Sequence, residues 1–204
     1  KVTPYKQIAE LFYRWSQSVQ SQDINILNQP FYLSLANNAD PTSSFLKFKL
    51  ATSLLESENY ELSKEIFESI PRDDLFFMDS IVENTYAIEQ LKNDKLALEY
   101  VEDYIISGVK NASLLKTYGS LQRSQRLFAE SIKSYTRAIE AAKKEVYTEA
   151  IWPLLFLRGI SFERSKNWNS AEADFKSALE ISPDQPQILN YMGYSLLERK
   201  EKLD

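Results

Sequence analysis

Acidic side chains are the only groups in this sequence with the number and spacing for acid–base chemistry. Glu56/Glu58, Asp73/Asp74, Glu102/Asp103 and Glu172/Asp174 are close neighbours along the chain. A carboxylate pair works as general acid and base only when both groups converge in a pocket that sets their proton affinities apart. These four pairs fall on the polar faces of helical patterns or in turns, as solvated charge does. The chain has no cysteine and no histidine. Thiolate nucleophiles, imidazole bases, disulfides and cysteine–histidine metal sites are therefore excluded within these residues. No glycine-rich phosphate loop and no nucleophile elbow occurs. The expectation is a protein that is not an enzyme and has no catalytic residues, cofactor or metal. Asn111-Ala112-Ser113 fits the N-glycosylation acceptor pattern, a match short enough to arise often by chance.

The elements that carry these side chains read as helices. At 44% hydrophobic and 26% charged the chain can bury a core. Four glycines and seven prolines are few for an all-β chain, which needs frequent turns. The net charge is −5 and no long lysine/arginine block occurs, so a phosphate-tracking nucleic-acid partner is not expected. No apolar run approaches the roughly 18–20 residues of a membrane span, so no membrane insertion is expected either. Residues 1–13 are amphipathic and lack the apolar core of a signal peptide. Without an initiator methionine the sequence reads as a piece excised from a longer protein, from which any upstream targeting segment would be missing.

Comparing the chain with itself reveals its organisation. In 155–183, apolar or small residues fall at Leu155, Gly159, Phe162, Trp168, Ala171, Phe175, Ala178 and Leu179, and Pro183 closes the run. This is a pair of amphipathic helical patterns around the polar turn Ser165-Lys166-Asn167. Small residues let two antiparallel helices approach, while the aromatics fill the space beside them. Gly119, Phe128, Ser131, Tyr135, Ala138 and Ile139 repeat the pattern upstream, as do Ala97 and Val101 and then Ala51, Leu54, Tyr60, Ser63, Phe67 and Ile70. Ala36, Ile70, Tyr104 and Ala138 are spaced by 34 residues. Ala178 comes six residues late, which places an insertion between Lys143 and Trp152. Three of the four glycines, Gly119, Gly159 and Gly193, share one repeat position.

A helix–turn–helix period of this length and pattern resembles the tetratricopeptide repeat family. The resemblance implies an all-α fold, an α-solenoid of antiparallel helix pairs wound as a right-handed superhelix. The repeats are expected at about 3–41, 44–75, 78–110, 112–145 and 152–184, with an unpaired helix at 186–200, all in one continuous domain. Pro30 should kink the second helix of the first copy or start it late. The turn before it, 18–23, is long and polar, and Gly108 reads as a helix stop. The final helix should pack back through Leu189 and Leu196 and leave some of Tyr191, Met192 and Leu197 uncovered, an edge open to self-association.

The resemblance also implies a function: a scaffold that binds a protein or peptide partner through the concave groove or the ends of the solenoid. The alternative is a recruitment or regulatory region of a larger enzyme, or of a secretion or envelope assembly. In this family the first helix of each pair lines the groove. Carrying over that register gives Phe45, Phe48, Thr52 and Leu55 in the second copy, then Asp79, Val82, Tyr86 and Glu89 in the third. The fourth contributes Lys116, Ser120 and Arg123, the fifth Phe156, Ile160, Glu163 and Arg164, and the last helix Asn190 and Tyr194. Exposed aromatics mixed with cations suit an extended peptide or a partner helix. The carboxylate clamp of the family's co-chaperones is not expected, because Ser120 stands where its asparagine would be and Phe156, Leu157 and Ile160 follow. Residues 156–160 and 189–194 look like bacterial members of the family. Many of those are envelope-associated, which leans toward a periplasmic location with the cytoplasm as the alternative.

Overall fold

The computed structural model describes residues 3–21, 28–144 and 151–199. Among them are eleven α-helices and no strand: α1 (Pro4–Ser21), α2 (Asn28–Ala39), α3 (Ser44–Glu56), α4 (Tyr60–Glu68), α5 (Phe77–Gln90), α6 (Asp94–Ile106), α7 (Ala112–Ser124), α8 (Phe128–Ala142), α9 (Ile151–Arg164), α10 (Trp168–Ile181) and α11 (Pro186–Glu198). The chain is an all-α solenoid of antiparallel helix pairs. It divides into two compact units, Lys1–Ala97 and Leu98–Asp204, with the boundary inside α6. Of the turn expected at 18–23, residues 18–21 belong to α1 and the rest lie outside the described residues, as does most of the insertion after Lys143.

In the first unit each helix packs on the next, from α1 to α5. Small residues sit where the helices cross. Ala9 and Ala36 meet Leu46, and Ala51 meets Phe67 and Ile70. Ser63 occupies such a crossing fully buried, and its Oγ donates to the Ala51 carbonyl at 2.8 Å, which removes the cost of burying a hydroxyl. Pro30 falls in the first turn of α2, where a missing N–H breaks no helical bond.

In the second unit the crossings are tighter. The Gly159 Cα lies so near α10 that a Cβ there would stand 2.5 Å from the Phe175 ring, and one at Gly119 would stand 2.9 Å from the Tyr135 ring. Both rings are fully buried. The third glycine of the set, Gly193, faces open space. Glu172/Asp174 departs from the solvated reading. Asp174 is only 6% exposed and takes two hydrogen bonds from Arg158, at 2.7 and 2.8 Å, while Arg158 also donates to Thr136 Oγ1 at 3.1 Å. One guanidinium thus ties α8, α9 and α10 together. Tyr118 donates to Glu102 at 2.7 Å, and burial together with that carboxylate pushes its hydroxyl up to about 12. In α11 the buried place falls to Ile188, and Leu189, expected to pack inward, is 52% exposed.

The turns inside the hairpins share one backbone device. Glu58, Lys92, Arg126 and Lys166 all have φ near +60°. The first three stand 34 residues apart. The 6→1 bonds Asn59 N to Leu54 O, Leu127 N to Gln122 O and Asn167 N to Phe162 O close the ends of α3, α7 and α9 at 2.8–2.9 Å. Each is a left-handed C-terminal cap that satisfies the last helical carbonyls. Gly108, with φ +93°, stops α6 in the same way.

Candidate functional site

In the first unit the candidate positions lie on α3 and α5. Phe45 and Phe48 are half-buried rather than presented to solvent. Phe48 stacks on Phe76 (5.4 Å) and meets Phe67 edge-on (5.7 Å), while Phe45 meets Tyr13 (5.1 Å) beneath the Lys49 ammonium. Thr52 turns its hydroxyl back to the Phe48 carbonyl at 2.9 Å, and Leu55 is buried. These rings hold α3 to its neighbours. Val82 and Glu89 are half-buried and Asp79 is exposed. Burial, with Asp94 nearby, raises the Glu89 carboxyl above the ordinary carboxylate range. Tyr86, 48% exposed, is the aromatic of this set that is open to solvent.

In the second unit the candidates lie on α7, α9 and α11. Lys116, Arg164 and Asn190 are exposed, and Tyr194 is 71% exposed. Ser120 shares a hydrogen bond with the Tyr135 hydroxyl at 3.0 Å. Phe156 is half-buried against Phe175 (5.9 Å) and Tyr191 (5.8 Å). The structure gathers Arg123, Ile160 and Arg164 around one cleft of about 530 Å³, whose walls are completed by Ser124, Arg126, Phe128 and Tyr191. Ile160 is buried and forms part of its apolar wall. Glu163 stands at the side, accepting from the Tyr191 hydroxyl at 3.1 Å and pairing with Arg164 at 3.4 Å. Burial foremost, then Glu163, raises the Tyr191 hydroxyl above its ordinary range, so it remains a donor at neutral pH.

Register transfer along the first helices could not find Arg126, Phe128 or Tyr191. Arg126 reaches the cleft from the left-handed turn and Phe128 from the start of the second helix. The signal in the sequence is the turn position itself, which the 34-residue spacing marks. The four carboxylate pairs form no common site. Asp73 and Asp74 lie in the loop before α5, where Asp74 accepts from the Phe76 N–H at 2.9 Å, and that bond holds its carboxyl below the ordinary range. Glu102 is engaged by Tyr118, Asp174 by Arg158. Asn111, of the glycosylation pattern, caps α7 by accepting from the Leu114 N–H at 2.9 Å. Among the described residues no group of three or more acidic side chains could hold a metal ion, and no helix is long and apolar enough to cross a membrane.

No protein-family model matches the sequence, and no match is found among curated proteins. Solved structures do match. YrrB, described as a TPR protein with an unusual peptide-binding site, is 13% identical, with 95% of this chain and 100% of that one covered and a TM-score of 0.62. MamA 41-end from Desulfovibrio magneticus RS-1 is 15% identical over 91% of this chain and 99% of that one, with a TM-score of 0.66. A chain of the APC/C hetero-tetramer Cut9–Hcn1 reaches a TM-score of 0.71 at 14% identity, with 96% of this chain and 41% of that one covered. The fold is that of the tetratricopeptide repeat proteins.

Proposed function

We propose that the chain is a protein–protein interaction scaffold that binds a peptide segment through the open faces of its first helices. The observation that carries this reading is the cleft on α7 and α9. It has a size typical of a ligand site and joins apolar walls to the guanidinium groups of Arg123, Arg126 and Arg164. Exposed Tyr194 on α11 adds a side chain of the kind that anchors interfaces. YrrB, of similar fold, is described by its peptide-binding site, and this chain is read in the same sense.

The test is a selection of displayed random peptides on the folded chain, followed by affinities of the recovered peptides for single variants. Tyr86→Ala, Lys116→Ala and Tyr194→Ala sample the first-helix faces, and Lys133→Ala on α8 samples a second helix. At least one first-helix variant is expected to weaken binding about fivefold or more, the loss of about 1 kcal/mol that marks an interface contact. Peptides indifferent to all three first-helix variants and sensitive to Lys133→Ala would contradict the proposal.

A further inference from the structure

The charge of the cleft runs against the charge of the chain. Three arginines, Arg123, Arg126 and Arg164, line it, whereas the protein as a whole carries −5. Glu163 is the carboxylate at its side, and it divides its acceptor oxygen Oε2 between Arg164 and the Tyr191 hydroxyl. Neither Arg123 nor Arg126 makes a side-chain hydrogen bond or ion pair among the described residues. The Arg123 Nε is moreover closed off from solvent with no partner. Phe128 and Ile160 give the same cleft an apolar wall.

We propose that this cleft docks an acidic peptide segment, with a carboxylate side chain among the three guanidinium groups and a neighbouring apolar side chain against Phe128 and Ile160. The proposal rests on the scaffold reading above and names the class of partner. Guanidinium is the group whose planar fork matches a carboxylate, and such charge-assisted bonds are the stronger kind. In a protein of net negative charge an acidic partner would be repelled elsewhere, so the cleft fixes the place of docking as well as its chemistry.

The experiment is fluorescence anisotropy on the full chain with short labelled peptides in which leucine alternates with glutamate, glutamine, lysine or phosphoserine. The glutamate peptide is expected to bind, more weakly as salt is raised, and the glutamine and lysine peptides to bind at least about tenfold less tightly. Arg123→Gln and Arg126→Gly should each reduce glutamate-peptide affinity by about tenfold, and Lys176→Gln on α10 should leave it unchanged. Arg126→Gly also relaxes the left-handed backbone at that turn, so a loss of binding there does not reflect a damaged fold. Equal binding of glutamate and glutamine peptides, or indifference to both arginine variants, overturns the acidic-segment proposal and leaves the scaffold reading standing. Preference for the phosphoserine peptide gives the cleft to phosphorylated segments and overturns it as well. Self-association that is lost in Arg123→Gln, with no peptide bound, assigns the cleft to a second copy. If no peptide binds and the chain stays monomeric, the acidic-segment proposal falls, and the scaffold reading stands or falls on the random-peptide selection.

Discussion

A Cβ added at Gly159 would lie 2.5 Å from the Phe175 ring, closer than packed atoms tolerate. Phe175 is fully buried and cannot swing away, so the helices must part. Gly159→Ala is expected to destabilise the chain by about 1–3 kcal/mol, the usual cost of overpacking. Gly119→Ala, with its ring at 2.9 Å, should cost less. Gly193→Ala meets nothing within 4 Å and should stabilise α11 by about 0.5–1 kcal/mol through helix propensity alone. Urea denaturation of the three variants checks the order. Equal effects would mean that the glycines are not spacers between helices. The glycines were legible because three copies of one position can be compared along a single sequence. Asp174 was not. Its burial depends on Arg158, sixteen residues away, and on Thr136 from a third helix, and no local pattern announces such a pairing.

At the scale of elements, amphipathic period and small-residue spacing expose the helices, because burying a stripe against a neighbour requires that spacing. The turns are less legible. Glutamate, lysine and arginine occupy left-handed positions where glycine is the usual signal, so composition hides the caps. This also hid Arg126 from a reading restricted to first helices. An L-residue held at positive φ costs about 1 kcal/mol, partly offset by the extra freedom glycine brings to the unfolded chain. Lys92→Gly is therefore expected to raise stability by about 0.5 kcal/mol, and Lys92→Val to lower it by about 1 kcal/mol or more. Thermal unfolding of the pair is the check, and a more stable valine variant would contradict the assigned backbone. In α11 the shift from Leu189 to Ile188 as the buried residue shows that repeat alignment alone places a residue only to within one position.

For the molecule as a whole, the tetratricopeptide fold was readable from the repeat, while the exposure of the candidate groove residues was not. Several aromatics assigned to the groove, Phe45, Phe48 and Phe156, are half-buried and pack on other rings, because a ring beside a helix crossing fills space there first. The exposed members Asp79, Tyr86, Lys116, Arg164, Asn190 and Tyr194 remain as candidates together with the arginine cleft. The partner should meet the first-helix faces and the arginine cleft, and should not meet the exposed faces of α8 and α10 around Lys133 and Lys176. Photo-cross-linking tests it most directly, with a reactive amino acid placed singly at Tyr86, Lys116 and Tyr194 and, for comparison, at Lys133 and Lys176, in the presence of a selected binding peptide. Adducts are expected from one or more of the first three positions and none from the last two. Adducts from Lys133 or Lys176 alone would contradict it.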